Sequence, residues 1–126
     1  SYDLNCMEFN MNSYTPILDH AAVIPLTHEL FANDAIFFTD LRSKKVALKN
    51  PATGYGVEVS YPDFATVAFW TAAATKAPFL CVEPWNGSAI RSDEDDNFLN
   101  RHFLQKLEGG ESKGYRVEIK KISQQL

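Results

Sequence analysis

The sequence predicts an all-β, sandwich-like fold, because three kinds of pattern recur along its 126 residues. Apolar and polar residues alternate over 57–61 and 115–120, which is typical of strands with one buried face. Continuously apolar segments occur at 35–38, 67–70 and 79–82, which is typical of strands that are buried on both faces or line a cleft. Prolines and turn-forming residues separate these segments and exclude long helices. Their spacing favours a β-sandwich.

Only short helical turns fit between the predicted strands. One turn is expected within 26–33, with Thr27 as its N-cap and Glu29 in its first turn, and a second can begin near Asn97. The acidic stretch 91–96 lacks the glycine and the distal glutamate that a calcium-binding loop needs. We therefore expect that stretch to be a solvated loop.

Composition and charge narrow the class of protein. A chain of 126 residues that is 45% hydrophobic can bury one core, so we expect a single domain over 1–126. The net charge is -4 and there is no basic stripe, so nucleic acid is not an expected partner. The apolar runs are shorter than a membrane span, and no basic segment followed by an apolar segment opens this sequence. With only Cys6 and Cys81 as thiols, a cytoplasmic protein without a membrane partner is expected.

The histidines do not form a metal site or a recognisable catalytic motif. His20, His28 and His102 have no metal-ligand spacing, and no cysteine stands near them. His28-Glu29 begins like the helix of a zinc protease, but Ala32 occupies the position of the required second histidine. Nucleophile elbows and phosphate-binding glycine loops are absent as well. We therefore predict no metal.

One carboxylate, Glu83, stands at the far end of the apolar segment 79–82 and is followed by Pro84 and Trp85. Removing a charged group from water is costly unless it gains partners, so such a group seldom ends an apolar strand by chance. A carboxylate that faces a cleft is a candidate acid or base. A solvated carboxylate at a strand end is the competing interpretation.

Aromatic residues cluster in the sequence around Glu83, and Asp34 precedes the apolar segment 35–38. Aromatic rings stack on the C–H faces of sugars, while carboxylates accept hydrogen bonds from hydroxyl groups. The pattern therefore indicates a carbohydrate site, with a plain core role as the alternative for each tryptophan. The aromatic residues concerned are Tyr55, Tyr61, Phe69, Trp70, Phe79 and Trp85.

Several sequence blocks, taken together and in order, resemble a known family. They are LTHELFANDAIF at 26–37, LRSKKVAL at 41–48, YPDF at 61–64, APFLCVEPWNG at 77–87 and LQKLEGGES at 104–112. In this order they resemble the C-terminal part of bacterial aldose 1-epimerase (galactose mutarotase)-like proteins of the LacX-type branch. Each block alone would be a weak signal, whereas the set covers nearly the whole chain.

The resemblance implies a sugar-binding β-supersandwich that interconverts the α and β anomers of a free aldose such as galactose or glucose, with no metal or organic cofactor. In that family a carboxylate base removes the proton of the anomeric hydroxyl while a histidine acid protonates the ring oxygen. Glu83 stands at the position of the base, and Asp34 matches an aspartate that binds sugar hydroxyls. Trp70 and Trp85 are the other predicted substrate contacts. A non-catalytic carbohydrate-binding module and a purely structural β-sandwich are the alternatives.

The family's acid histidine and a sugar-contacting arginine lie in N-terminal blocks that this sequence lacks, and none of its histidines stands in the matching context. The resemblance therefore implies the C-terminal portion of a longer protein, with 1–18 as a strand pair. An isolated half of a supersandwich exposes strand edges and an apolar sheet face. We expect association with the missing N-terminal half or with another copy, and little activity from this chain alone.

Overall fold

The computed structural model describes residues 2–5, 8–14, 17, 21–39 and 41–123. Within these ranges the fold is all-β, as predicted, and the helical segments are three-residue 3-10 turns at Glu29–Phe31, Ala73–Thr75 and Phe98–Asn100. The part of the chain that is described contains no helix long and apolar enough to cross a membrane. The strands are β1 Tyr2–Asn5, β2 Glu8–Tyr14, β3 Ile36–Phe38, β4 Lys45–Lys49, β5 Gly56–Ser60, β6 Thr66–Trp70, β7 Cys81–Trp85, β8 Ile90–Arg91 and β9 Glu118–Ile122.

The residues group into two compact units. The first comprises Ser1–Thr39 and Ala65–Gln105, and the second comprises Asp40–Phe64 and Lys106–Leu126. The first unit contains the sheets β1-β2-β8 and β3-β6-β7, and the second contains the sheet β4-β5-β9. A single domain over 1–126, and the supersandwich that the resemblance implies, stay predictions.

The apolar segments of the sequence form the sheet β3-β6-β7, which is antiparallel throughout. The strand over 36–38 is buried along its whole length, and Val67 and Ala68 in the middle strand β6 are each only 1% exposed. The register sets Phe37, Ala68 and Glu83 in one row across the three strands. The predictions of buried strands at 35–38 and 67–70 are therefore confirmed.

Strand β7 differs from the sequence-based expectation in its position. The apolar run predicted a strand over 79–82 with Glu83 at its far end, whereas Glu83 is the middle residue of Cys81–Trp85. Pairing with β6 continues beyond Pro84, because Trp85 lies opposite Thr66 in the ladder. Proline is tolerated there since β7 is the last strand of its sheet, and an edge strand needs backbone donors on one side only.

The first unit also contains the strand pair that was predicted for 1–18. Strands β1 and β2 pair antiparallel, and β8 adds to β2 in parallel. Phe9 of β2 is 2% exposed, and its ring meets that of Phe37 edge-on, with 4.8 Å between the ring centroids. The two sheets of this unit therefore share a core, which consists of Phe9, Phe37 and Ala68.

Both helical turns that the sequence predicted are present. The N-cap of the turn at Glu29–Phe31 is His28, whose side chain makes no capping bond, so the prediction of Thr27 as N-cap is wrong by one residue. The Thr27 hydroxyl nevertheless accepts a hydrogen bond from the backbone N–H of Leu30 at 3.3 Å. The later turn, Phe98–Asn100, starts after Asn97, whose side chain accepts a backbone N–H at 3.1 Å. Each segment closes a single 3-10 turn rather than a longer helix.

The second unit is a three-stranded antiparallel sheet with one apolar face. The predicted strand is present as β5, and the register aligns Val57 and Val59 with Leu48 of β4 and Ile119 of β9 on that face. The buried face that the alternation predicted is not observed in β5 and β9, because Val57 and Ile119 are exposed. Strand β9 begins at Glu118, later than the alternation from Tyr115 suggested. The face is open to solvent, since the exposed fractions are 38% for Leu48, 39% for Val57 and 74% for Ile119.

Tyr61 follows β5 and anchors the chain of the second unit. Its side chain is 1% exposed, its backbone N–H donates to the Lys44 carbonyl at 2.8 Å, and its hydroxyl donates to the Ser43 carbonyl at 3.4 Å. Burial raises the pKa of this hydroxyl. The folded state therefore disfavours the tyrosinate.

We expect the free energy of unfolding to fall as the pH rises above about 10, and Tyr61→Phe to flatten that fall. A group with a raised pKa in the folded state stabilises fully below its unfolded pKa, and that stabilisation is lost as the pH rises through the folded pKa. At pH 7 the variant should lose no more than about 1 kcal/mol, the value of one hydrogen bond. Urea unfolding at pH 7 and pH 11 measures both effects. Tyr55→Phe is the matched control, because Tyr55 is 50% exposed; an equal fall in Tyr61→Phe and wild type would contradict the prediction.

Candidate functional site

One face of the sheet β3-β6-β7 carries three of the four predicted site residues. Alternation along β7 sets Cys81, Glu83 and Trp85 on the same side of the strand. The register then sets Trp70 opposite Cys81 and Ala68 opposite Glu83. Glu83 is therefore a diagonal neighbour of Trp70 and stands two residues from Trp85 on this surface. The core residues Phe37 and Ala68 lie on the same side of the sheet, in the row of Glu83. We call this side of the sheet the Glu83 face.

The carboxylate of Glu83 has one oxygen engaged and one open. The indole Nε1–H of Trp85 donates to Oε2 at 3.3 Å, and both side chains are half-buried. No described residue donates a hydrogen bond to Oε1. Among the described side chains, Oε1 of Glu94 is the polar atom that is fully buried and lacks a partner. Oε1 of Glu83 also lacks a partner but is not fully buried, so solvent reaches it.

Trp85 itself is held from two directions. Its ring meets that of Phe37 edge-on, with 5.4 Å between the centroids and 85° between the planes. Its backbone carbonyl accepts a hydrogen bond from the Thr66 hydroxyl at 3.4 Å. In the next residue, Asn86 Oδ1 accepts from the Ala65 backbone N–H at 3.1 Å, which fixes the turn behind the strand. The indole is therefore oriented by the core and by β6.

Trp70 forms an aromatic wall with Phe79. Their ring centroids are 5.9 Å apart, with 52° between the planes, and Phe79 is 50% exposed. Phe79 lies two residues before Cys81, at the parity that shares the Glu83 face when the chain is extended. The sequence placed Phe79 in the aromatic cluster but gave no reason to choose it, because its exposure depends on where β7 begins.

Asp34 is engaged in a turn rather than with Glu83. It is exposed, it has a left-handed φ of 81°, and its Oδ1 accepts the backbone N–H of Ala35 at 2.7 Å. Aspartate is among the residues that adopt this conformation most readily, since its carboxylate can bond the local backbone. No hydrogen bond joins Asp34 to Glu83, Trp70 or Trp85.

Of the other clustered aromatic residues, one lies on the other face of this sheet and two belong to the second unit. Phe69 is on the opposite side of β6 and packs against Phe38, with 6.0 Å between the ring centroids. Tyr55 and Tyr61 belong to the second unit. Closeness in sequence to Trp70 was therefore a poor guide for Phe69, because successive positions on a strand face opposite sides.

The two histidines that the structure describes, His28 and His102, make contacts that are explained by a structural role. His28 Nε2 donates to the Ala77 carbonyl at 3.0 Å, and the buried Thr71 hydroxyl donates to the same oxygen at 3.4 Å. His102 lies beside Phe103, with 6.4 Å between the rings. His20 and Cys6 lie outside the described residues. Within the described ranges, no group of three or more His, Cys, Asp or Glu side chains could hold a metal ion.

The acidic stretch 91–96 is a mostly exposed loop, as predicted. Asp93 forms two hydrogen bonds with the Arg91 guanidinium at 2.8 and 2.7 Å, and these bonds lower the pKa of its carboxyl. A hydrogen bond from the Asn100 amide lowers the pKa of Asp95 in the same way. The carboxylates of Asp93 and Asp95 therefore stabilise the conformation of the loop.

The fold and the Glu83 face together define an all-β protein in which a half-buried carboxylate stands beside aromatic rings, an arrangement suited to sugars. The chain is similar to two proteins of Lactococcus lactis subsp. lactis, named Protein LacX, chromosomal, and Protein LacX, plasmid. Each is 33% identical over 90 residues, which are 71% of this chain and 29% of the LacX chain. The resemblance to the LacX-type branch is thus confirmed.

The aligned segment corresponds to less than a third of the length of those relatives. No protein-family model and no solved structure matches the chain. The similarity to LacX is therefore a sequence similarity over part of both chains. It reports neither a substrate nor the role of any residue in the Glu83 face.

Proposed function

We propose that this chain forms the base side of an aldose 1-epimerase-like site, and that the protein interconverts the α and β anomers of a free aldose such as galactose or glucose. The observation that carries the proposal is the Glu83 carboxylate, which has one oxygen bound by Trp85 and one open to solvent. The aromatic wall of Trp70 and Phe79 on the same face offers a surface for a sugar ring. The similarity to LacX supports the same proposal.

In the proposed reaction, Glu83 Oε1 takes the proton of the anomeric C1 hydroxyl. The electron pair of that O–H bond forms the aldehyde C=O, and the bond between C1 and the ring oxygen breaks while an acid protonates the ring oxygen. Rotation about C1–C2 and closure with the reverse proton transfers give the other anomer. The reaction is redox-neutral and returns both groups to their starting protonation states.

The acid is proposed to come from the histidine block that the family carries in its N-terminal half. His28 is not proposed for this role, because its Nε2 is bound to the Ala77 carbonyl. The contact of His102 is with Phe103, and no hydrogen bond joins it to Glu83. The base and the acid would then belong to different parts of the protein. Ring opening is compatible with this division, because the base acts on the anomeric hydroxyl and the acid acts on the ring oxygen.

Asp34, Trp70 and Trp85 are the proposed substrate contacts. Trp70 would stack on the C–H face of the sugar, and Trp85 would bound the site on the other side of Glu83. Asp34 Oδ1 is engaged by Ala35, so Oδ2 is the oxygen that would accept a sugar hydroxyl. This assignment of Asp34 requires a sugar that reaches beyond the Glu83 face.

A non-catalytic carbohydrate-binding module is the second candidate, and the aromatic wall of half-buried Trp70 and exposed Phe79 favours it. In that case Glu83 would act only as a hydrogen-bond acceptor. The two candidates differ in what the protein does to the anomeric ratio, since a binding module leaves the rate of anomer interconversion unchanged.

Polarimetry tests the proposal directly. Fresh α-glucose or α-galactose is dissolved with the protein expressed from its complete gene, and the change in optical rotation is followed. We expect the approach to anomeric equilibrium to be faster than in buffer alone. An unchanged rate, together with sugar-induced shifts in the NMR spectrum, would establish the binding module instead.

Replacing Trp70 with Ala is expected to weaken sugar binding about two- to tenfold, because one aromatic contact contributes about 0.5–1.5 kcal/mol. An NMR titration of the protein with galactose or glucose measures the dissociation constant. Tyr55→Ala removes an exposed aromatic ring of the second unit and serves as the control. Equal affinities for Trp70→Ala and wild type would remove Trp70 from the site.

A further inference from the structure

We propose that Trp85 is a positioning residue: its indole N–H holds Oε2 of Glu83 and so reserves Oε1 as the oxygen that accepts the anomeric proton. The inference rests on the proposed function and deepens it, because it divides the two oxygens of the base between two roles. The observation behind it is the 3.3 Å hydrogen bond from Trp85 Nε1 to Glu83 Oε2.

A glutamate side chain on a strand is free to rotate about three bonds, so its carboxylate rarely holds one orientation without help. A hydrogen bond to a charged acceptor is stronger than a bond between neutral groups. The two residues are i and i+2 on one strand and share a face, which brings the indole within reach of the carboxylate. The contact therefore orients the base without a residue from another strand.

The indole can impose an orientation only because it is itself held by the core. A continuous series of contacts runs from Phe9 to Phe37 at 4.8 Å between centroids, from Phe37 to Trp85 at 5.4 Å, and from Trp85 to Glu83 at 3.3 Å. Phe9 is 2% exposed and Phe37 is 9% exposed. The direction of the Glu83 carboxylate is thus tied to buried side chains of the unit's core.

Trp70 provides the comparison within the same face. Its ring contact is with Phe79, and its indole donates no hydrogen bond to Glu83. Both tryptophans are half-buried and lie on neighbouring strands. Substitution of each by phenylalanine keeps a ring and removes an indole N–H, so Trp70→Phe is a matched control for Trp85→Phe.

The hydrogen bond can be tested in this chain without any activity. Its two tryptophans give two indole N–H signals in a proton–nitrogen correlation spectrum, which the two single Trp→Phe variants assign. We expect Glu83→Gln to move the Trp85 signal upfield, because a neutral acceptor replaces a charged one, and to leave the Trp70 signal in place. A Trp85 signal that does not move in Glu83→Gln would overturn the inference.

The catalytic consequence is that substitutions of Trp85 and Trp70 should affect kcat and KM differently. In the protein expressed from its complete gene, Trp85→Phe is expected to lower kcat roughly ten- to a hundredfold, because misorientation of a reacting group reduces turnover on that scale. KM should change less than about twofold, whereas Trp70→Phe should act mainly on KM. A Trp85→Phe variant that raises KM and keeps kcat would show that Trp85 is only a substrate contact.

The two tests separate this inference from the proposed function. If wild-type protein leaves the mutarotation rate unchanged, the proposed function fails and the role of Trp85 in proton transfer fails with it. If wild type is active, Glu83→Gln is inactive and Trp85→Phe keeps full kcat, the proposed function stands and the positioning role alone is wrong.

Discussion

Glu83→Gln is expected to lower the rate of aldose mutarotation by about 10²- to 10⁴-fold, the usual loss when one proton-transfer group is removed. Glutamine keeps the shape of the side chain and can still accept the Trp85 indole N–H, but it cannot take up the anomeric proton. Polarimetry with the protein expressed from its complete gene gives the rate. Sugar affinity, measured by NMR titration, should change far less than the rate.

The matched control is Glu118→Gln. Glu118 also lies on a strand, but its side chain is 64% exposed and its ion pair with Arg116 is long, at 3.8 Å. That variant should keep the wild-type rate. Undiminished mutarotation by Glu83→Gln would remove Glu83 from the reaction, whatever the control shows.

Phe37→Ala is expected to reduce the free energy of unfolding by about 3–5 kcal/mol, the usual cost of deleting a buried phenylalanine ring. Phe37 is 9% exposed and contacts the rings of both Phe9 and Trp85, so its removal leaves a cavity between the two sheets of the first unit. Urea unfolding followed by circular dichroism measures the loss.

Phe98→Ala is the control for this loss, because Phe98 is 64% exposed. It should cost less than about 0.5 kcal/mol, as is usual for exposed positions. A similar small cost for Phe37→Ala would mean that the two sheets do not depend on this ring for their packing. The Trp85 indole signal provides a second measure, since it should also move when Phe37 no longer supports the ring.

Patterns among neighbouring residues were enough to predict where two of the strands lie. The alternation in 57–61 identified the position of β5 but not its exposure, and the apolar run 67–70 identified β6. The side-chain period of a strand can be read from neighbouring residues, whereas its burial also depends on what packs against it. The bounds of β7 were harder to predict from the sequence. They depend on the pairing of Trp85 with Thr66 and on the edge position that tolerates Pro84.

Residue type and context selected the residues of the candidate site but not its geometry, and their role in binding or catalysis stays a prediction. Glu83, Trp70 and Trp85 were chosen from residue type and context, and they do share one face. The bond between Glu83 and Trp85 was not predicted, since it depends on the support of the indole by Phe37, which is distant in sequence. The local turn of Asp34 was also missed, because no pattern in the sequence signals its positive φ.

The position of Glu83 on the last strand of its sheet also affects the dynamics of the candidate site. Strand β7 is paired with β6 along one side, and elements with few hydrogen-bonded neighbours open at lower free energy than central ones. Transient separation of β7 would carry the carboxylate away while Phe37 and Ala68 stay packed. The lifetime of the paired strand would then limit how long the proton acceptor stays in register with a bound sugar.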